Sequence, residues 1–205
     1  MLTTYYKPVF NALLEPFAKA VARLGVAPSA ITLATPLLVA LVCLWVLRTF
    51  AIVPFCAAVT LIGCLDGLDG AVARVSGRVT KFGAYLDAVC DRAVEAMVAI
   101  TAAALTGYWV SAMSVLAGSF LISYAKARAA MEVSVSNQEW PDFMERAERD
   151  VLFVAGLAAG ELLPWRPLGR DLFWWMLAAL NVLVYATFVQ RVLRARRLIA
   201  ARSER

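Results

Sequence analysis

Four aspartates sit in stretches that otherwise read as apolar helix: Asp66 and Asp69 in LDGLDGAVAR, and Asp87 and Asp91 in AYLDAVCDRA. An ionised carboxylate at the centre of a bilayer costs about 2.5–3.5 kcal/mol or more, so these four need something to offset them. Asp66 and Asp69 are three residues apart and Asp87 and Asp91 four apart, spacings that put each pair on one helical face, one turn apart. Four converging carboxylates do not all ionise unpaired, and Arg74 and Arg92 cannot balance them alone. Oxygen ligands without His or Cys suit Mg²⁺, Mn²⁺ or Ca²⁺ better than zinc. Two divalent ions would balance four carboxylates, and ion pairs about 4 Å apart serve phosphoryl chemistry. A proton path or ion route through a transporter, and a plain salt-bridge network, are the competing readings of the same residues.

Small residues surround the aspartates: Gly67, Gly70, Ala71, Ala73, Gly83 and Ala84. Glycine inside a helix costs roughly 1 kcal/mol against alanine, and its return is close approach by a helix or a ligand. Gly70 and Ala73 share the face of Asp66 and Asp69, which predicts a ligand slot there. Arg74, one turn beyond Gly70, is placed to meet a phosphate. With no histidine in the chain, a general base has to be a carboxylate, Lys, Tyr or Cys. Cys43, Cys56, Cys64 and Cys90 show no C-x-x-C spacing and read as small buried hydrophobes rather than zinc ligands or disulfide partners.

The elements that must position these groups are membrane helices. The 205 residues are 62% hydrophobic, with a mean hydropathy of +0.72. A soluble domain holds about 45–50% apolar residues. Six stretches have the length and apolarity of spans: 31–50, 53–75, 83–106, 109–131, 147–163 and 171–195. Gly, Pro, Ser and Asn cluster between them, as loops require. The opening residues lack a signal-peptide pattern and instead predict an amphipathic helix on the membrane surface. Its stripe is Phe10, Leu14, Phe17, Val21 and Leu24, with Lys7, Lys19 and Arg23 among them. The expected architecture is all-α: an integral membrane bundle of six transmembrane helices behind an N-terminal interfacial helix. It forms one domain over 1–205, with the interfacial helix at 1–26, the bundle at 31–195 and a basic tail at 196–205.

Cations set the orientation. Lys7, Lys19 and Arg23 precede the first span, and Arg74, Arg78 and Lys81 join the second to the third. Lys126, Arg128, Arg146 and Arg149 flank the fourth-to-fifth loop, and Arg191, Arg194, Arg196, Arg197, Arg202 and Arg205 close the chain. The other side holds Arg48, Arg166 and Arg170. The positive-inside rule then puts both termini and the aspartates in or facing the cytoplasm of a cell-membrane protein. A net charge of +5 spread over separate loops fits attraction to anionic membrane lipids and gives no contiguous surface for nucleic acid.

The run Asp66-x2-Asp69-Gly70-x2-Ala73-Arg74-x8-Gly83-x3-Asp87-x3-Asp91 resembles the signature of the CDP-alcohol phosphotransferases, with eight positions matched over 26 residues. The stretch APSAIT (27–32) resembles the family's T-P-N-x-I-T opening of the first span, with Ser29 where Asn is common. The resemblance covers nearly the whole chain. It implies transfer of a phosphate-linked group from a CDP-alcohol to an acceptor hydroxyl with release of CMP. It also implies two divalent cations, Mg²⁺ or Mn²⁺, held by Asp66, Asp69, Asp87 and Asp91. Asp91 is then the general base on the acceptor. Asp69, Gly70, Ala73, Arg74, Thr80 and Gly83 border the CDP donor, and the enzyme is a homodimer.

The segments LISYAKARAA (121–130), FMERAERD (143–150) and FVQRVLRARR (188–197) resemble those of family members that make phosphatidylinositol phosphates or their archaeal counterparts. That subgroup implies that Lys126, Arg146 and Arg191, with Arg149 in support of or in place of Arg146, hold the phosphate of inositol 1-phosphate. Two departures stand against it: Ala130 where the subgroup often has Glu, and a glycine-free MEVSVSNQEWPD loop. A glycerol 3-phosphate acceptor or a CDP-inositol donor fits the family signature as well. Glu95, one turn past Asp91, reads as a structural partner for a neighbouring cation.

Overall fold

The structure is a computed structural model that describes residues 14–133 and 144–203. The described residues are helical with short connections. Residues 14–23 form α1, followed by α2 (Pro28–Thr49), α3 (Ile52–Val75), α4 (Lys81–Thr106), α5 (Trp109–Glu132), α6 (Arg146–Leu162), a single 3₁₀ turn at Pro167–Gly169, and α7 (Leu172–Ser203). Phe10, Lys7, most of the 134–143 loop's predicted features and Arg205 lie outside the described residues. Among the described residues, four helices are long and apolar enough to cross a membrane: α2, α3, α5 and α7. The chain is therefore an integral membrane protein. α6 has only 17 residues, and α4 carries Lys81, Asp87, Asp91, Arg92 and Glu95 within its first 15, so these two lack the long apolar stretch of the others.

The chain divides into two compact units, one through Gly107 and one from Tyr108. In the first, α2 opens on Pro28, whose missing N–H costs nothing at a helix start, and presents the stripe Thr32, Thr35, Val39, Cys43 and Val46 to α3 and α4. The rest of α2 is leucine-rich and exposed, which suits lipid rather than water. α4 meets α2 with Val98, Ala99, Ala102 and Ala103, side chains small enough for close packing, and ends at Gly107, whose φ of 77° closes the helix in the left-handed region. α3 and α4 are joined by a five-residue turn in which Gly77 takes a φ of 67°. Along α1, Leu14 and Ala18 are buried against Ala71 and Val72 of α3, with Val21 and Ala22 beside them. The stripe predicted for this helix is thus divided: Leu14 and Val21 face the protein, while Phe17 is 63% exposed and Leu24 is exposed too. Glu15 pairs with Lys19 at 2.6 Å across one turn, and that bond holds its carboxyl below the usual range.

In the second unit α7 is the central element. Phe173, Leu177, Leu180, Val184, Thr187 and Arg191 are all buried and follow 4-3-4-3-4 spacing along one face. α5 packs on that face through Ala112, Val115, Gly118, Ser119 and Ile122. Any Cβ added at Gly118 would overlap Val184 Cγ1. α6 approaches through Gly156 and Gly160, where a Cβ would come within 2.6 Å of Met176 and 2.9 Å of Phe173. Phe153 and Phe173 meet edge to face at 5.3 Å. With 32 residues α7 runs past the predicted 171–195 span, so the basic tail continues as helix to Ser203. At 1.5 Å per residue it is about 48 Å long, more than the ~30 Å of a hydrocarbon core.

Candidate active site

The carboxylates come from the end of α3 and the beginning of α4. Oxygens of Asp66, Asp87 and Asp91 all lie within 4.8 Å of one another, and each residue is half-buried. The helical spacing explains this. Asp87 and Asp91 stack one turn apart on α4, and the turn through Gly77 brings α3 back so that Asp66 faces them. Two oxygens bound to one Mg²⁺ at about 2.0–2.1 Å are at most ~4.2 Å apart. Three carboxylate oxygens within 4.8 Å need shifts of tenths of an ångström to share an ion, so the donor set fits a hard divalent cation by spacing and by chemistry.

The fourth predicted ligand, Asp69, is placed differently. Its side chain is 8% exposed and accepts a hydrogen bond from Thr32 Oγ1 of α2 at 2.5 Å, while its other oxygen lies against the Gly70 N–H. Asp69 is therefore not in the three-carboxylate group; it is turned toward α2. Thr32 is the residue that reading the chain did not assign to the site. It lay in APSAIT, but a contact 37 residues away leaves no mark in local spacing.

The predicted donor-binding residues follow from the same two helix ends. Gly70 lies under the Arg74 guanidinium, with Nη1 3.3 Å from where a Cβ would be. Ala73 is half-buried on the same face. Thr80 is the N-cap of α4: its hydroxyl accepts from the Gly83 N–H at 2.9 Å, and a Cβ on Gly83 would come within 3.1 Å of it. Thr80 and Gly83 therefore fix where α4 begins, and through it the register of Asp87 and Asp91. Glu95 pairs with Arg92 at 3.2 Å, the structural role its position suggested. All four cysteines are free, with Cys43, Cys56 and Cys90 buried and Cys64 exposed, which corrects the expectation of a buried Cys64.

The predicted acceptor cations belong to the second unit. Glu145 and Glu148 form a reciprocal capping box that starts α6, with Glu148 Oε2 accepting from the Glu145 N–H at 3.0 Å. Arg146 and Arg149 are thereby fixed in the first turn and a half. Arg146 pairs with Asp150 at 3.3 Å, and Arg149 is only 4% exposed, donating to the Met144 carbonyl at 3.3 Å. Arg191 is 7% exposed at the end of the buried α7 stripe and donates to the carbonyl of Ile122 on α5, one turn before the half-buried Lys126.

Comparison with known proteins agrees with this arrangement. The model of the CDP-alcohol phosphatidyltransferase family matches residues 25–185. The archaetidylinositol phosphate synthase of Methanothermobacter thermautotrophicus is 33% identical over 92% of this chain and 91% of its own length. The phosphatidylinositol phosphate synthase of Corynebacterium glutamicum is 32% identical over 95% of this chain and 89% of its own. Crystal structures of the phosphatidylinositol phosphate synthase of Mycobacterium tuberculosis superpose with a TM-score of 0.79 with CDP-DAG bound, at 26% identity over 90% of this chain and 94% of that one. In complex with manganese and citrate the TM-score is 0.78, at 27% identity over 89% and 88%. Manganese in that relative is the kind of hard divalent cation that the Asp66–Asp87–Asp91 group suits. The matched region is well over half of the 205 residues, and the chain is an enzyme of the CDP-alcohol phosphatidyltransferase family.

Proposed function

We propose that this enzyme transfers the phosphatidyl-type group of a CDP-linked lipid to a hydroxyl of inositol 1-phosphate and releases CMP. The observation that carries the reading is the three-carboxylate group set in the family signature, on a chain whose relatives over nine-tenths of its length are inositol phosphate lipid synthases.

Chemically, the acceptor oxygen forms a bond to the lipid-linked phosphorus of the donor, the bond from that phosphorus to the CMP oxygen breaks, and the hydroxyl proton goes to Asp91. Two divalent cations, when bound, offset the negative charge that builds on the leaving CMP. Asp66, Asp87 and Asp91 would hold them, with Asp69 as the fourth ligand once its carboxylate turns from Thr32. Gly70 and Ala73 leave room for the cytidine and Arg74 takes a donor phosphate. Thr80 and Gly83 keep the start of α4 in place beside it. Lys126, Arg146 or Arg149, and Arg191 bind the acceptor's phosphate, which fixes the orientation of its free hydroxyl. Positioning of this sort supplies part of the ~7–11 kcal/mol available from fixed orientation.

Around this chemistry the reading adds one domain over the whole chain, six spans that include α4 and α6, and α1 lying in the membrane interface. Both termini and the active site face the cytoplasm across the cell membrane, membrane lipids surround the bundle, and the enzyme works as a homodimer. Incubating the purified protein with CDP-diacylglycerol and a panel of alcohols, with CMP release as the score, tests it. Inositol 1-phosphate should support turnover and free inositol far less. Turnover with glycerol 3-phosphate alone would move the acceptor assignment elsewhere in the family, and CMP-free ion flux would replace the transferase reading by a transporter.

A further inference from the structure

The segment between α6 and α7 combines rigidity with exposed apolar side chains in a way the transferase chemistry does not use. Leu162, Leu163, Trp165 and Leu168 are all exposed, and Leu168, at 88%, is nearly bare. Leu168 also has a φ of 53°, the left-handed region that an L residue with a bulky side chain enters under strain. A glycine there would be relaxed. A leucine this exposed gains little from the protein itself for that conformation.

The turn is nevertheless tied down. Asp171 accepts from the Trp174 N–H at 2.9 Å, capping α7, and its other oxygen accepts from the Tyr108 hydroxyl at 2.8 Å. Trp175 Nε1 donates to the Pro167 carbonyl at 3.2 Å. The Arg170 guanidinium lies over the Trp174 ring at 5.6 Å, and Trp174 meets Trp175 edge to face. These contacts fix the turn at Pro167 and Asp171, on either side of the exposed Leu168.

What covers them follows from position. α7 is a membrane span that begins at Leu172, two residues after Arg170, so the turn sits where hydrocarbon gives way to headgroups. Trp109, Trp165, Trp174 and Trp175, four of the chain's six tryptophans, belong to this end of the second unit. Indole rings concentrate at that depth because they pair an apolar body with an N–H donor. Arg166 and Arg170 supply positive charge among them, complementary to lipid phosphates.

We infer that the α6–α7 turn is a bilayer anchor, with Leu162, Leu163, Trp165 and Leu168 seated at the boundary of acyl chains and headgroups and Arg166 and Arg170 against lipid phosphates. Its role is to fix the depth and tilt of α7 in the leaflet at that end. The inference rests on α7 spanning the membrane and is independent of the acceptor.

The test places the full chain in nanodiscs of phosphatidylcholine and phosphatidylglycerol whose acyl chains carry bromine near the headgroup or near the chain end. The emission of Trp165 is the difference between the parent protein and Trp165→Phe. That difference should be blue-shifted, lost with bromine near the headgroup, less affected by bromine near the chain end, and resistant to aqueous iodide. A Leu168→Trp change in the Trp165→Phe background moves the reporter along the turn and should behave alike. Quenching of either reporter by iodide but not by brominated lipid would overturn the inference in favour of a turn in water. Resistance to both quenchers would overturn it in favour of a contact between copies of the chain.

Discussion

Thr32 Oγ1 lies 2.5 Å from the Asp69 carboxylate, and this hydrogen bond ties the beginning of α2 to the end of α3 beside the Asp66–Asp87–Asp91 group. Both residues are buried. Removing the donor leaves a buried carboxylate oxygen without its partner, at a cost of about 1–3 kcal/mol. Thr32→Val should therefore lower the unfolding stability by that amount and weaken Mn²⁺ binding, while Thr32→Ser, which keeps the hydroxyl, should restore both. Thermal unfolding in detergent and a Mn²⁺ titration would check this. Equal stability of the valine and serine variants would remove the bond from the account.

Asp91→Asn keeps shape and one oxygen donor but cannot take the acceptor proton. Turnover should fall by roughly 10²–10⁴-fold, the range of general-base contributions, with CDP-diacylglycerol still bound. Single-turnover CMP release together with a donor-binding isotherm separates the two effects, and near-parent turnover would free Asp91 from the base role.

Arg191 is held inside the α5–α7 pair by the Ile122 carbonyl, and Lys126 stands one turn along α5. If these groups bind the acceptor's phosphate, Lys126→Ala, Arg146→Ala and Arg191→Ala each lose a charge-assisted contact worth about 1.5–3 kcal/mol. The acceptor's KM should rise roughly tenfold or more, with the donor's KM little changed. A parallel rise in both values would point to a general loss of structure instead.

Tyr108 carries the pH dependence of the α5–α7 end. Burial raises its pKa above the ordinary 10.0, and the hydrogen bond to Asp171 raises it further. With the folded pKa above the unfolded one, the stabilisation is complete below pH 10 and is lost as pH rises through the folded pKa. The Tm of the parent should fall more steeply above that pH than the Tm of Tyr108→Phe. Superimposable alkaline profiles would count against the Tyr108–Asp171 bond.

Much of this was legible in the chain because the relevant signals are local. Hydropathy runs locate α2 to α6 and the start of α7 to within about three residues, since lipid demands long apolar helices. The three- and four-residue spacings of the aspartates put them on common faces before any fold is known. Contacts between distant segments were not legible. Asp69 answers to Thr32 on another helix, so its departure from the other three aspartates follows from packing, not from spacing. The α1 stripe is divided between protein and surroundings because Ala71 and Val72 of α3 claim Leu14 and Val21, which helical periodicity alone cannot foresee. Cys64 is exposed for a related reason: in lipid an apolar residue need not face inward.

Divalent metal held by the α3–α4 carboxylates should drive transfer to a phosphorylated acceptor. The most direct measurement follows CMP from CDP-diacylglycerol and inositol 1-phosphate, first with Mn²⁺ or Mg²⁺, then with excess chelator, then after metal is restored. CMP should form in step with phosphatidylinositol phosphate, cease with the chelator and recover with the metal, with no recovery in an Asp66→Ala, Asp87→Ala variant. Undiminished CMP release in excess chelator, or full activity of that double variant, would contradict it.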